Sequence, residues 1–451
     1  GGVYAEGDVG PLETMNPLFA STPAERSAAR LIFSGLLSYD SSSHLRAELA
    51  SGWRSEDNGR RYIIDLRDNL QWHDGQKLTA DDVVFTTNLM KNPLVRYSQY
   101  NSWRSVKVTK LSDTSVAFEL TRAYSAFPHA LTFGILPRHI LGSVAPENLR
   151  EADFNREPIG SGPFAFNRRQ VINPDKDRLI VYMSSNPQYV HGVPRLERFQ
   201  LHVFGDTKSV KDAFVAQEIS AAADLTSLEL ADAVSERPRA VSHSTTISDG
   251  MYAFLRNDSQ MLSDVNVRRA LLMATDRQSI IQKTLLGNAG SLDGPLTTTQ
   301  LEGIANKRQA RFDPVGASAL LDKSGWILQD GLRTKDGQEF TLSLITVRSG
   351  DYPIVAEALK KQWEAIGARV NLSMVDADKV QQAVILPRAY DVLLYELELG
   401  GDPDVYSYWH ESQANPRGLN LSNYKSVIAS EALEGGQLKL DIASRTPKYE
   451  A

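Results

Sequence analysis

The part of the sequence that decides the fold runs from residue 341 to residue 404 and reads TLSLITVRSGDYPIVAEALKKQWEAIGARVNLSMVDADKVQQAVILPRAYDVLLYELELGGDPD. Its apolar periodicity predicts strands at 341–347, 368–375 and 390–399, separated by helices at 353–366 and 377–386. Short links between such elements imply right-handed crossovers and at least three parallel strands. Ligands of open α/β sheets bind beyond the carboxyl ends of the strands, where this sequence has Gly400-Gly401-Asp402-Pro403-Asp404.

Helix and strand signals continue outside this stretch. Thr22, Pro23 and Glu25 form a capping signal that predicts a helix over 22–37, and Thr79 opens a second helix that runs through Met90. Further predicted elements are strands at 61–67 and 116–120 and an amphipathic helix or helix pair at 264–287, with Gly287 as its cap. Mixed helices and strands over 451 residues indicate an α/β or α+β protein with two or three lobes.

Composition excludes several classes of protein. The net charge is −6, and no basic run is present, so nucleic-acid binding is not expected. The chain has no cysteine, which excludes disulfides and thiolate metal sites. No apolar run reaches the roughly 18–20 residues that span a bilayer. Because the chain opens at Gly1-Gly2 without a hydrophobic leader, we expect that an export signal has been removed.

The sequence contains no recognisable catalytic or cofactor signature. There is no G-x-S-x-G, no phosphate-binding loop, no dinucleotide fingerprint and no H-E-x-x-H, since His410-Glu411 continues without a second histidine. Asp402 and Asp404 flank a proline in a turn, and residues so placed seldom aim both carboxylates at one atom. A single carboxylate there is better suited to a ligand ammonium group. We therefore expect no enzyme, no cofactor and no metal site.

Aromatic residues surround the same segment. Tyr395, Tyr406, Tyr408 and Trp409 bracket Asp402, and at this point both a ligand-stacking role and ordinary core packing remain open for them. Core packing is the favoured interpretation for the earlier tryptophans at positions 53, 72 and 103.

An ordered series of sequence blocks extends over nearly the whole chain. The blocks are Met15 to Ala20, Leu31 to Leu37, Leu49 to Trp53, Tyr62 to Asp82 with its Trp72-His73-Asp74-Gly75, Gly160 to Phe164, Asn186 to Tyr189, Val267 to Leu271, Phe312 to Pro314, Leu320-Leu321, Gly325-Trp326 and Gly401 to Asp404. In this order, they resemble the extracellular solute-binding proteins of family 5, the oligopeptide, dipeptide and nickel type that serves ABC importers.

The resemblance implies a periplasmic-binding-protein-like fold (class II, cluster C type), with two large α/β lobes, a hinge and an inserted third lobe. Lobe I would comprise 1–45 and 160–248, lobe II would be the insertion 46–159, and lobe III would be 249–451. In the family, a last helix and strands return to lobe I after a segment like Arg445 to Tyr449. We expect that return to be missing from this sequence.

The resemblance also implies a function. The protein would be an extracytoplasmic monomer, periplasmic or lipid-anchored, that captures an oligopeptide by hinge closure and delivers it to a membrane permease. Asp402 would pair with the ligand's amino terminus. Arg348, just after the 341–347 strand, is our candidate for a ligand carboxylate, with a solvated surface position as the alternative, and Tyr252 either flanks the ligand or packs at the hinge. Asp404, Tyr395 and Trp409 complete the predicted site. Two alternatives remain. In the first, the same scaffold binds a nickel chelate, for which His410 lies close, or an oligosaccharide. In the second, which is less favoured, the protein is an enzyme or a signalling or adhesion protein.

Overall fold

The computed structural model describes residues 2–243, 249–297, 300–301, 310–400 and 402–451, with the side chain of residue 442 left aside. The chain divides into two compact units, Gly1–Val241 and Ser242–Ala451. The predicted boundary between lobes I and III, at residue 249, follows residues 244–248, which lie outside the described part of the chain. The finer division of the first unit into lobes I and II stays a prediction.

The first unit contains two main sheets. Its strands are β1 Val3–Val9, β2 Leu37–Tyr39, β3 Leu45–Ala47, β4 Ala50–Glu56, β5 Arg61–Leu66, β6 Lys107–Ser112, β7 Ser115–Glu119, β8 Phe164–Asn173, β9 Arg178–Ser185, β10 Arg198–Phe204 and β11 Ala221–Ala222. Its helices are α1 Pro23–Ile32, α2 Ala80–Met90, α3 Tyr100–Trp103, α4 Arg138–Leu141, α5 Thr207–Val215 and α6 Ser227–Glu236. One sheet has the order β11-β1-β10-β9-β8, and the other has the order β4-β5-β7-β6. β1 runs parallel to β10 and β11, whereas the second sheet is antiparallel.

The predicted capping signals are confirmed. The Thr22 side chain accepts a hydrogen bond from the Glu25 amide, and the Glu25 carboxylate accepts one from the Thr22 amide, which forms the capping box of α1. Thr79 and Asp82 do the same for α2. The predicted end of the first helix at residue 37 is wrong, because α1 stops at Ile32. Beyond it, Gly35 forms a bridge to Gly134, so its backbone leaves the helical path.

One continuous apolar core holds the first unit together. Trp72 and Trp103 are buried in it, and Trp53 packs against it, as the favoured interpretation of these tryptophans predicted. Trp103 makes ring contacts with Phe118, Phe127 and Phe133 at centroid distances of 6.3, 5.9 and 5.2 Å. A smaller cluster packs α5 against the Gly7 face of β1. The buried tryptophan and phenylalanine rings therefore stabilise the core of the first unit.

The second unit is built on the stretch from which the fold was predicted. Its strands are β12 Asp249–Leu255, β13 Ile327–Gln329, β14 Leu332–Lys335, β15 Gln338–Glu339, β16 Thr341–Val347, β17 Arg369–Val375 and β18 Val392–Glu398. Its helices are α7 Val265–Met273, α8 Arg277–Ser279, α9 Pro314–Lys323, α10 Tyr352–Glu364, α11 Tyr406–Trp409, α12 Val427–Leu438 and α13 Ile442–Glu450, with π-helical turns at Ile280–Thr284 and Gln381–Ile385. The main sheet has the order β12-β18-β16-β17.

The three predicted parallel strands are confirmed. β16 pairs in parallel with both β17 and β18, so Val347, Val375 and Glu398 end their strands at one edge of the sheet. β12 pairs antiparallel with β18 and leaves its other side as the edge of the sheet. The predicted helix at 377–386 is reduced to the π-helical turn. The segment 264–287 forms a helix pair, because Asp276 caps a second start and interrupts the first helix.

Period-2 alternation along the strands divides the core of this unit between the two faces of the sheet. Leu342, Leu344 and Leu394 face α7, α9 and α10, whereas Phe254 and Leu393 face the side on which α12 lies. Both faces are covered by apolar side chains, as expected for strands that are buried on both sides. Polar residues lie at the carboxyl edge of the sheet, where these strands end and loops begin.

Candidate functional site

The candidate site follows the carboxyl end of β18. The chain leaves the strand at Glu398, turns at Gly400 with a φ of +70°, and enters α11 at Tyr406. A positive φ is a conformation that glycine adopts without strain. Gly401, part of the predicted segment, lies outside the described residues. The segment that the sequence selected therefore lies at the ligand-binding edge expected for an open α/β sheet.

Asp402 forms a buried ion pair. Arg445 Nη1 donates to Asp402 Oδ2 at 2.8 Å and Arg445 Nη2 to Oδ1 at 2.6 Å, and both residues are buried. Although burial acts to lower it, the pKa of Arg445 is raised, because the hydrogen bonds and charge of Asp402 stabilise the guanidinium. Asp402 Oδ1 also accepts from the Asp404 amide at 2.8 Å. This carboxylate thus already holds a cation that belongs to the chain itself.

Further hydrogen bonds fix the segment around Asp402. Gln300 Nε2 donates to the carbonyl oxygens of Leu399 and Asp402 at 3.1 and 3.0 Å. Asp404 accepts from the Tyr406 amide at the start of α11 and, through Oδ2, from Gln437 Nε2 at 3.1 Å. The predicted site residue Asp404 is therefore placed where it holds α11 against α12.

Three of the predicted aromatic residues meet beside this segment. Tyr252 and Tyr395 are direct partners in the β12–β18 ladder, and the Trp409 ring lies 6.2 Å from that of Tyr252 at an interplanar angle of 73°. Tyr395 stacks on Tyr352 at 6.2 Å and 13°. The sequence left open whether these rings form the core or the ligand surface. They are half-buried, and they pack against the cluster that contains Phe254.

Two of these aromatic residues carry hydrogen-bond donors that find no partner among the described residues. Tyr252 Oη and Trp409 Nε1 are both buried, and neither makes a hydrogen bond within the described part of the chain. Burial raises the pKa of Tyr252 to about 12, so its hydroxyl stays protonated and can donate. An unsatisfied buried donor costs roughly 1–3 kcal/mol. Each such group therefore needs a reason to persist.

A cavity of about 320 Å³ adjoins Trp409. It lies at the edge strand β12 and is lined by Ala253, Leu255, Asn257, Val265, Arg268, Arg269, Leu272, Trp409, Ser422 and Tyr424. Of the predicted site residues, Trp409 alone is among these. Arg268, from the Val267 to Leu271 block, donates through Nη1 to the carbonyls of Leu262 and Ser263 at 2.7 and 3.0 Å. Strand alternation puts Ala253 and Leu255 of β12 on one face, which is the only signal in the sequence for this wall of the cavity.

Arg348 follows β16 and lies at the same carboxyl edge. Its Nη1 donates to Asp376 Oδ1 at 3.0 Å and its Nη2 to the Met374 carbonyl at 2.9 Å, while 60% of its side chain remains exposed. Exposed pairs of this kind are worth at most about 1 kcal/mol. A ligand carboxylate could exchange with Asp376 at little cost, and the role predicted for Arg348 stays a prediction.

Acidic residues that the sequence reasoning missed gather nearby. Asp249 and Glu398 are direct partners at the end of the β12–β18 ladder. Partial burial is the largest cause that raises the pKa of Glu396. The negative charges of Asp249, Glu398 and Asp351 raise it further. Burial and the charge of Glu398 raise the pKa of Asp249 in the same way. This end of the sheet therefore has a negative potential that attracts cationic groups.

His410, the residue on which the nickel alternative depends, is engaged within the chain. Its Nε2 lies 2.7 Å from Glu434 Oε1 and its Nδ1 lies 2.7 Å from Ser412 Oγ. Its ring stacks on Tyr406 at 4.1 Å. Across the described ranges, no group of three or more histidine or acidic side chains is arranged to hold a metal ion.

The fold and the site together define a ligand-binding protein of the periplasmic-binding class. The sequence model of the bacterial extracellular solute-binding proteins, family 5, matches residues 44–419, and the chain belongs to this family. The family is defined by solute binding and not by catalysis. Among the described residues, no helix combines the length and the hydropathy that crossing a membrane requires.

Two relatives show which kinds of solute-binding protein the chain resembles. The oligopeptide-binding protein AppA of Bacillus subtilis (strain 168) is 28% identical over 469 aligned residues, which cover 100% of this chain and 83% of the relative. The structure of AppA in complex with a nonapeptide superposes with a TM-score of 0.76 at 25% identity, covering 100% of this chain and 89% of AppA. NikZ from Campylobacter jejuni, solved with Ni(L-His), gives a TM-score of 0.77 at 25% identity, covering 99% of this chain and 89% of NikZ.

Proposed function

We propose that this chain captures oligopeptides outside the membrane and delivers them to an ABC permease. Similarity to an oligopeptide-binding protein along the whole chain supports this assignment. Capture would proceed by closure around the ligand, and the ligand can drive closure only by as much as it binds the closed form more tightly than the open form. The chain would act as a monomer.

The observation that carries the proposal is the pair of unpartnered donors. A peptide main chain offers one carbonyl acceptor per residue, and Tyr252 Oη and Trp409 Nε1 are buried donors without a partner in the described residues. Their ring centroids lie 6.2 Å apart, and both donor atoms are buried in this conformation, so a peptide would reach them only after these side chains move. Binding through main-chain acceptors does not depend on side-chain identity, which is the property that a receptor for many different peptides requires.

The ligand's amino group is expected at the acidic end of β18. The family resemblance assigns this group to Asp402, but Arg445 already occupies both of its oxygens. We propose that Asp402 chiefly positions the segment before α11. The negative potential of Asp249, Glu396 and Glu398 would then attract the ammonium group. Arg348 would receive a carboxylate in exchange for Asp376.

Calorimetric titration with a series of unmodified peptides tests the proposal. We expect micromolar or tighter dissociation constants for several unrelated sequences of similar length, and weaker binding for Tyr252→Phe. Glu357→Gln, an exposed change on α10, is the matched control and should bind like the parent chain. An absence of binding across the series, with the protein folded, would contradict the proposal.

The nickel-chelate alternative rests on the likeness to NikZ. It is the weaker proposal, because both ring nitrogens of His410 are engaged by Ser412 and Glu434. Titration with Ni²⁺ plus L-histidine separates the two proposals. Saturable uptake of the complex, with none of any peptide, would favour the alternative.

A further inference from the structure

A second site of unusual chemistry lies in the first unit, on strand β1. Asp8 is 1% exposed, and within the described residues neither of its carboxylate oxygens has a hydrogen-bond partner. A buried carboxylate without a partner is strongly disfavoured in its charged form, because nothing replaces the water that it has lost. The fold must therefore supply either a cation or a proton at this position.

The surroundings supply more negative charge instead of a counter-ion. Side chains alternate along a strand, and Gly7 faces Val210 and Ile219 on the α5 side, so Glu6 and Asp8 point away from that side. Tyr4 Oη donates to Glu6 Oε1 at 3.4 Å. Glu6 and Asp8 therefore lie on one strand in a poorly hydrated environment, where two negative charges repel each other.

Neighbouring elements add one further acid and one base. On β10, the partners of Glu6 and Asp8 are the apolar residues Leu201 and Val203. After β11, the charge of Asp224 raises the pKa of both acids, whereas from α1 the Ser27 hydroxyl lowers the pKa of Asp8 without outweighing burial. Arg30 lowers the pKa of Glu6, but burial dominates and the pKa of that carboxyl is still raised. Among the described residues, the charges of Glu6, Asp8 and Asp224 thus repel one another, and Arg30 opposes this repulsion at Glu6.

A metal ion would be one way to balance this charge. However, no group of three or more acidic or histidine side chains in the described residues is arranged to hold a metal ion. We propose that Glu6 and Asp8 form a proton-binding site that holds one proton between them near neutral pH and releases it as the pH rises. The proton takes the place of the missing counter-ion, and the first unit responds to the pH around it. This inference does not depend on the ligand of the protein.

The direction of the response follows from the titration of Asp8. Burial and then the charge of Glu6 raise the pKa of Asp8 from 3.8 to about 7. Between these two values the folded state binds more protons than the unfolded chain, so stability falls as the pH rises through this window. Above pH 7 this contribution is lost. β1 ends one residue later at Val9, so the carboxyl edge of its sheet is the region that deprotonation would loosen.

The test is the pH dependence of thermal unfolding of the full chain between pH 5 and pH 8. The first unit of the parent chain should lose stability across this range, and Asp8→Asn, which cannot ionise, should lose most of that dependence. Asp232→Asn, an exposed change on α6, is the matched control and should keep it. Equal pH dependence in Asp8→Asn and the parent chain would overturn the proposal.

A second measurement covers the case in which Asp8→Asn does not fold. Carboxyl-carbon NMR of the folded parent chain should show one aspartate that titrates near neutral pH, and Glu6→Gln should move that titration to lower pH by removing the repulsion. If every aspartate carboxyl titrates below about pH 5, the values of ordinary aspartates, the proposal is wrong.

Discussion

Arg445 donates to both carboxylate oxygens of Asp402, at 2.8 and 2.6 Å, and so joins α13 to the segment that follows β18. The same guanidinium donates to the Gly436 carbonyl and to Tyr449 Oη, at 3.3 and 2.9 Å. One buried arginine therefore connects the end of α12, the helix α13 and the candidate binding segment. A paired buried charge is tolerated, but a buried charge that has lost its partner is strongly destabilising.

Removal of one member of this pair should therefore destabilise the second unit. For Arg445→Met, we expect a loss of about 3–5 kcal/mol in the free energy of unfolding, because Asp402 would be buried without a counter-ion. Lys448→Met, on the exposed part of the same helix, should change stability by less than about 0.5 kcal/mol. Denaturant unfolding measures both variants. The double variant Asp402→Asn with Arg445→Met should recover part of the loss, and a fully additive loss would contradict the pairing.

Comparison of free and N-acetylated peptides distinguishes the two roles considered for Asp402. If Asp402 positions the segment, Asp402→Asn should weaken both forms of a peptide by a similar factor. Glu396→Gln should selectively weaken the free-amine form, by roughly tenfold if the ammonium attraction is worth about 1.4 kcal/mol. Titration calorimetry gives both numbers. A loss for Asp402→Asn that is confined to the free-amine peptide would restore Asp402 as the direct ammonium partner.

The hydroxyl of Tyr252 should favour binding and disfavour the unliganded fold. Tyr252→Phe removes a buried donor that has no partner in the described residues, so the free protein should be as stable as the parent or up to about 1–3 kcal/mol more stable. Peptide affinity should fall. Thermal unfolding with and without peptide measures both effects. A destabilised free protein with unchanged affinity would show that the hydroxyl is structural.

Within the first turn of α1, substitution of Glu25 should reduce the free energy of unfolding most. Its carboxylate accepts hydrogen bonds from the amides of Glu13, Thr14, Ser21 and Thr22, at 3.0 to 3.1 Å, and from Ser21 Oγ at 3.2 Å. Glu25→Ala leaves four amides without this acceptor, the buried amide of Thr14 among them, and should cost more than the roughly 1 kcal/mol of an ordinary cap. Arg26→Ala, exposed on the same helix, is the control in chemical unfolding. Equal effects of the two changes would contradict this account.

Local signals in the sequence were sufficient for much of the fold. The strand predicted at 341–347 is Thr341–Val347 in the structure, because alternation over a buried strand is unambiguous. The capping boxes at Thr22 and Thr79 were predictable, since the interacting residues are three positions apart. The end of α1 was not, because it depends on Gly35 meeting Gly134.

The candidate site was predictable in position but not in contacts. The rule for parallel sheets placed it after β18, and the ladder then brought Tyr252 opposite Tyr395. No local pattern pointed to Arg445, the partner of Asp402, which lies 43 residues later in α13. In the sequence, Asp8 is one of many acidic residues in strands. That its carboxylate is buried without a hydrogen-bond partner in the described residues depends on tertiary packing.

The most direct test of the central claim is native mass spectrometry of the freshly purified chain, followed by unfolding and identification of the small molecules released. The account predicts a set of peptide masses of similar length and varied sequence, which Tyr252→Phe and Asp402→Asn retain in smaller amounts. A single nickel-containing or sugar mass in place of peptides would contradict it.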